Sequence, residues 1–161
     1  MTEPPADILR RLRPIPTYTG HPTTAPHDIV GVTAEGVPCR IDVVEAAAPV
    51  LLLFLSAACL GCQDLWQGLP QLHAGLAGAA RLVAVTRSPG DERPEAIAAM
   101  AGAAPGTDGI DLVMSTEAYR DYRVTGPPFL SVAAADRVLT ESVAWGVEQT
   151  LQIALDALRT D

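Results

Sequence analysis

Residues 50–56 (VLLLFLS) form a compact apolar run, and Cys59-Leu60-Gly61-Cys62 follows it almost at once. The run is too short for a bilayer, which needs about 20 residues, and turn residues bound it. It reads as a central strand buried on both faces. Behind the cysteines, Leu65, Leu69, Leu72 and Leu76 recur at helical spacing and share one face. The pair therefore lies between a buried strand and the start of a helix. At such a start, unpaired backbone N–H groups and the helix dipole favour negative charge. Thiolate is the reactive form of cysteine, so the first position suits a nucleophile. A second cysteine one turn further in can attack the mixed disulfide that the first one forms. Cys59 takes the first role here and Cys62 the second.

The flanking pattern is that of an α/β domain. Residues 29–33 and 37–43 around Gly36 predict a β-hairpin. Residues 82–86 predict a second buried strand, Ser88-Pro89-Gly90 a turn, and 92–101 a helix with Ile97 and Met100 inward. A glycine-rich connection at 102–109 leads to a short strand at 111–114 and a helical turn at 117–122. Gly126-Pro127-Pro128 breaks the chain sharply. Strands at 129–134 and 138–143 follow, joined by Ala135-Asp136-Arg137. Val147, Leu151, Ala154, Leu155 and Leu158 mark the apolar face of a last helix. Ahead of all this, residues 1–27 hold Pro4, Pro5, Pro14, Pro16, Pro22 and Pro26 and read as a proline-rich arm or linker. A basic helical turn at 8–13 fits between the prolines, and His21 and His27 read as exposed loop residues. The domain proper is expected at 28–161.

Composition excludes several function classes. Hydrophobic residues make up 48% and charged residues 19%, which describes a folded chain. The formal net charge of -8 argues against nucleic acid, which calls for a basic face. It suits an anionic membrane surface equally badly. Three cysteines are too few for a disulfide-stapled secreted scaffold. No signal peptide is visible, which by itself reads as cytoplasmic.

Other uses of a cysteine pair fit poorly. Structural zinc needs about four ligands, and Cys39 belongs to a different strand. Cys39 itself reads as a buried hairpin residue, not a third redox group. Covalent haem attachment needs histidine directly after the second cysteine, where Gln63 stands. A copper chaperone would want three residues between the cysteines and a later histidine, yet the last histidine is His73. A peroxidatic cysteine would want threonine and proline just upstream, where Ala57-Ala58 stand. No metal and no cofactor is expected. Trp66 and Trp145 read as packing residues.

Val50 to Cys62, taken with Tyr122-Arg123-Val124-Thr125-Gly126-Pro127-Pro128, resembles the thioredoxin superfamily. The hairpin ahead of the first central strand, and the element between the second helix and the proline loop, resemble its TlpA-like branch. The resemblance covers roughly residues 28–158. It implies a thioredoxin-like α/β fold: a central mixed β-sheet flanked by helices, with an extra N-terminal β-hairpin. It implies a cis-proline at Pro128 opposite the cysteines. It implies thiol–disulfide exchange with protein thiols or disulfides, by a monomer. Ala58, Leu60, Gly61, Pro127 and Pro128 would line the substrate groove. Members of the branch are often membrane-tethered outside the cytoplasm. The basic stretch at 10–13 and the proline-rich linker would suit the region after an upstream anchor.

Four departures from the family pattern qualify the resemblance. Ala58 stands where a tryptophan usually precedes the first cysteine. Leu53 stands where a buried carboxylate usually helps move the resolving cysteine's proton. Asp64 is a candidate substitute, although its place on the helix reads as solvated. The helix proline comes late, at Pro70. Pro127 lacks the N–H that its position offers to a substrate chain. These departures leave a second reading open, a non-catalytic binding module or maturation accessory protein.

Overall fold

Leu51, Leu53 and Leu55 project into one apolar layer, and Val50, Leu52 and Phe54 into another. A strand with no polar face must be covered on both sides, and this one lies inside a sheet with helices on each face. The computed structural model describes residues 24–102 and 109–160. The arm up to residue 23, the turn expected at 8–13, His21 and most of the glycine-rich connection lie outside the described residues.

The chain runs β1 (Ile29–Val32), β2 (Pro38–Ile41), β3 (Val50–Phe54), a 3-10 turn (Leu60–Cys62), α1 (Gln63–Gln67), α2 (Leu69–Leu76), β4 (Arg81–Thr86), α3 (Pro94–Gly102), β5 (Asp111–Met114), α4 (Thr116–Asp121), β6 (Phe129–Ala134), β7 (Arg137–Val143) and α5 (Val147–Arg159). The strands form one seven-stranded sheet in the order β2-β1-β5-β4-β3-β6-β7. β3 and β4 pair in parallel, as do β4 and β5. The remaining pairs, β1 with β2 and β5, and β6 with β3 and β7, are antiparallel. The sheet is mixed and its N-terminal hairpin is present.

The hairpin joins the sheet through Gly31. A Cβ there would lie 2.2 Å from the Met114 carbonyl oxygen, so only glycine lets β1 approach β5. Asp28 secures the other end. Its carboxylate accepts hydrogen bonds from the Val43 and Val44 N–H groups and pairs with Arg40. These contacts hold its pKa below the ordinary value, with the two backbone bonds as the main cause.

The leucine-marked helix behind the cysteines is two helices. Pro70 sits at the start of α2 and has no N–H for the Trp66 carbonyl four residues back. The chain breaks at Gly68, and Leu65, Leu69, Leu72 and Leu76 remain buried all the same. Gly68 and Gly75 let α5 pack closely. A Cβ would lie 2.1 Å from Val147 Cγ2 at the first and 2.4 Å from Leu151 Cδ2 at the second. The helix expected at 92–101 begins at Pro94 instead, a residue well suited to a first helical turn. Glu92 is left in the preceding loop.

Candidate active site

The site is built at the C-terminal end of β3. Past Phe54 the strand ladder ends, and the next two carbonyls need partners. Each is taken by an aromatic side chain from an opposite face. Tyr119 Oη donates to the Leu55 carbonyl at 2.8 Å, and Trp66 Nε1 donates to the Ser56 carbonyl at 3.1 Å. Ser56 Oγ in turn accepts from the Ala58 N–H at 3.2 Å. The segment leading to Cys59 is thereby fixed from both sides of the sheet.

Cys59 adopts extended backbone and precedes the 3-10 turn, and its carbonyl accepts from the Cys62 N–H at 3.1 Å. This turn, not an α-helix, follows the first cysteine and ends on the second; α1 begins only after Cys62. Both thiols are free. Cys59 is half-buried, while Cys62 is fully covered and lies within hydrogen-bonding reach of the Cys59 sulfur. Burial pushes the Cys62 thiol up to about 12. The hydrogen bond with Cys59 adds to that shift, a bond from the Ser56 backbone opposes it, and the Glu92 carboxylate adds a smaller push upward.

The proline loop faces the pair. The Pro127–Pro128 bond is cis. Cys59 Sγ lies 3.6 Å from the Pro127 carbonyl oxygen and donates to it. Near the same sulfur, a Cβ on Gly61 would lie 3.6 Å from Pro128 Cδ and 3.8 Å from Cys59 Sγ. The structure thus brings Cys59, Gly61, Cys62, Pro127 and Pro128 together. Ala58 and Leu60 flank them as exposed residues, Leu60 at 83%.

Cys39 stands apart. It is half-buried on β2, four strands from β3, which at about 4.8 Å per strand puts it roughly 19 Å away across the sheet. Burial raises its thiol pKa, and the Asp111 carboxylate adds to the effect. Among the described residues, no group of three or more His, Cys, Asp or Glu side chains could hold a metal ion.

Leu53 is fully buried where the family would place a carboxylate, and Asp64 is exposed on α1. The acidic residue whose charge reaches Cys62 is Glu92, from the loop after β4. That loop is tied to the start of α4: Ser88 N–H donates to Thr116 Oγ1, Thr116 N–H to Ser88 Oγ, and Thr116 Oγ1 to Asp91. Arg87, from the same loop, stacks over Tyr119 with its Cζ 4.4 Å from the ring centroid. Burial raises the Tyr119 hydroxyl pKa, and Arg87 opposes the rise. Periodicity gives no hint of these contacts, since each joins side chains distant in the chain.

The tryptophans divide. Trp66 is buried behind the cysteines as expected, whereas Trp145 is 65% exposed. The packing expected of Trp145 is corrected by its turn. Ala144 takes the buried place, Gly146 reverses the chain at φ +80°, and the side chain between them faces solvent.

No protein-family model matches the sequence, and no curated protein matches it. Solved structures do. A chain assigned as the thiol:disulfide interchange protein DsbE from Chlorobium tepidum is 21% identical, with TM-score 0.64, covering 86% of this chain and 98% of that one. A secreted Mycobacterium tuberculosis disulfide oxidoreductase homologous to Escherichia coli DsbE is 14% identical, with TM-score 0.62, covering 83% and 96%. The peroxidoxin BcpB of Mycobacterium tuberculosis is 19% identical, with TM-score 0.62, covering 87% and 97%. At these identities the likeness is one of fold. By its sheet order, its N-terminal hairpin and its proline loop facing a cysteine pair, the chain has a thioredoxin-like fold.

Proposed function

We propose that the protein is a thiol–disulfide oxidoreductase that exchanges electrons with protein thiols or disulfides. The observation that carries this reading is a half-exposed Cys59 close to the Pro127 carbonyl and Gly61, within hydrogen-bonding reach of a covered Cys62. In the reducing direction, Cys59 thiolate attacks one sulfur of the partner disulfide, and the other partner sulfur leaves as a thiolate. Cys62 then gives its proton to the thiolate already released and attacks Cys59. The bond between Cys59 and the partner breaks, the Cys59–Cys62 disulfide forms, and the partner leaves as a second thiolate, which takes a proton from water. Two electrons pass from the protein to the partner, and the reverse sequence oxidises a partner dithiol. Covering Cys62 keeps it protonated and inert until a mixed disulfide forms beside it, which confines the first attack to Cys59.

In this reading Ala58, Leu60, Gly61, Pro127 and Pro128 form the groove around the reacting sulfur. The secreted neighbour from Mycobacterium tuberculosis favours a site of action outside the cytoplasm, where disulfides persist, over the cytoplasmic location the sequence alone suggests. Among the described residues no helix is long and apolar enough to cross a membrane.

The test is a cysteine peptide carried as its mixed disulfide with glutathione. The native protein should release reduced peptide and end as the Cys59–Cys62 disulfide. Cys62→Ser should stop at a stable peptide adduct on Cys59, and Cys59→Ser should give neither product. A second reading, a binding module with idle cysteines, draws on Leu53 and on the missing Pro127 N–H. It predicts that Cys62→Ser accumulates no adduct, while a Cys59→Ser, Cys62→Ser double variant still holds its partner.

A further inference from the structure

We propose that Leu60 and Trp145 form an apolar clamp that selects partner segments carrying a large apolar side chain beside the reacting cysteine. The proposal rests on the redox reading above and names the substrate class of that site.

Of the large apolar side chains exposed in the described residues, Leu60 and Trp145 are the two most open to solvent, at 83% and 65%. They are distant in sequence, yet each is the chain neighbour of a residue that approaches Pro128. Leu60 adjoins Gly61, whose Cα faces the Pro128 ring. Trp145 adjoins Ala144, whose N–H donates to the Pro128 carbonyl at 3.1 Å. Val143, the cross-strand partner of Phe129 and two residues before Trp145, is exposed as well. The turn holding Trp145 is fixed on its far side, because Val147 packs against Gly68 at the end of α1. Trp145 is thus presented outward by a turn tied to Pro128 through Ala144 and to Gly68, at the end of α1, through Val147.

The occupant follows from the chemistry of the rim. Cys59 is the half-exposed sulfur within it, so the visitor presents a sulfur of its own. A segment laid along residue 127 like an added strand finds no N–H there, and the Pro127 carbonyl already accepts from Cys59. Main-chain pairing is weakened, so side-chain burial must supply the contact. Leu60 and Gly61 add no charge between the cysteines. A rigid tryptophan supplies much contact area at little entropic cost. The formal net charge of -8 disfavours acidic segments. The partner is therefore an extended, neutral or basic polypeptide with a leucine-sized or aromatic residue within a position or two of its cysteine.

The experiment compares short peptides of sequence X-Cys, each as its mixed disulfide with glutathione, where X is Leu, Phe, Ser or Asp. Formation of the peptide adduct on Cys62→Ser protein, with glutathione released as the leaving thiolate, isolates the first step. With X as Leu or Phe, the rate constant at sub-saturating peptide should exceed that for Ser by about tenfold, and Asp should be slowest. Adding Trp145→Ser or Leu60→Ser should bring the Leu-to-Ser ratio to within about twofold of one, and Trp145→Phe should restore most of it. A ratio near one in the parent, or a ratio untouched by both serine variants, overturns the proposal. So does sedimentation showing a dimer that Trp145→Ser dissolves, because a second copy would then be what covers the rim. Absence of adduct with every peptide overturns the redox reading as well, whereas adduct formation without preference overturns the clamp alone.

Discussion

Two sulfurs three residues apart in the chain meet opposite environments. Cys59 is half-exposed beside the proline loop, and Cys62 is covered, its thiol pushed up to about 12 chiefly by burial. Iodoacetamide at pH 8 should therefore modify Cys59 and leave Cys62 untouched until the protein is unfolded. Fragmentation mass spectrometry of the tryptic peptide 41–81, which carries both cysteines, checks this, and equal labelling of both would contradict it. The same shift links to stability. The folded thiol titrates above its ordinary value of 9.0, so the fold favours the protonated form. That contribution is complete below about pH 9 and is lost as pH climbs toward 12. Over this window the denaturation midpoint of the reduced protein should fall more steeply than that of Cys62→Ala.

Among the elements, glycine decides how closely neighbours approach. At Gly31 the obstacle to a Cβ is a backbone oxygen, which cannot move without disturbing the β1–β5 junction. At Gly75 it is the flexible end of Leu151. Gly31→Ala should accordingly destabilise more than Gly75→Ala, with overpacking costs of about 1–3 kcal/mol or more in urea titrations. Gly68→Ala should be partly rescued by Val147→Ala, because Val147 Cγ2 is the atom in the way. Strands and the last helix were legible from alternation and periodicity. The break between α1 and α2 was signalled by Pro70, although the leucine spacing, which continues across it, predicts one helix. The spacing survives because both helices bury the same face against the sheet.

For the whole molecule, charge acts at a distance. A formal net charge of -8 should slow anionic disulfides and favour cationic ones. Cystamine should therefore react faster with reduced protein than oxidised glutathione does, relative to their rates with a free thiol of similar pKa. The bias should be several-fold near 10 mM salt and shrink by about 150 mM, where screening reaches roughly 8 Å. A bias independent of salt would mean that local contacts, not the overall field, set it.

Much was determined by the sequence alone: the buried strand, the cysteine pair at its end, the hairpin before it and the proline break after it. These are local signals, carried by residue type and spacing within a short window. Only the tertiary structure decided which groups surround the sulfurs. Tyr119 and Trp66 cap the strand end, Glu92 reaches Cys62 from a neighbouring loop, and Trp145 turns outward next to Ala144, which bonds Pro128. The physical reason is that parallel neighbours in a sheet bring together the ends of strands far apart in sequence. No pattern read along the chain records which side chains those ends will share.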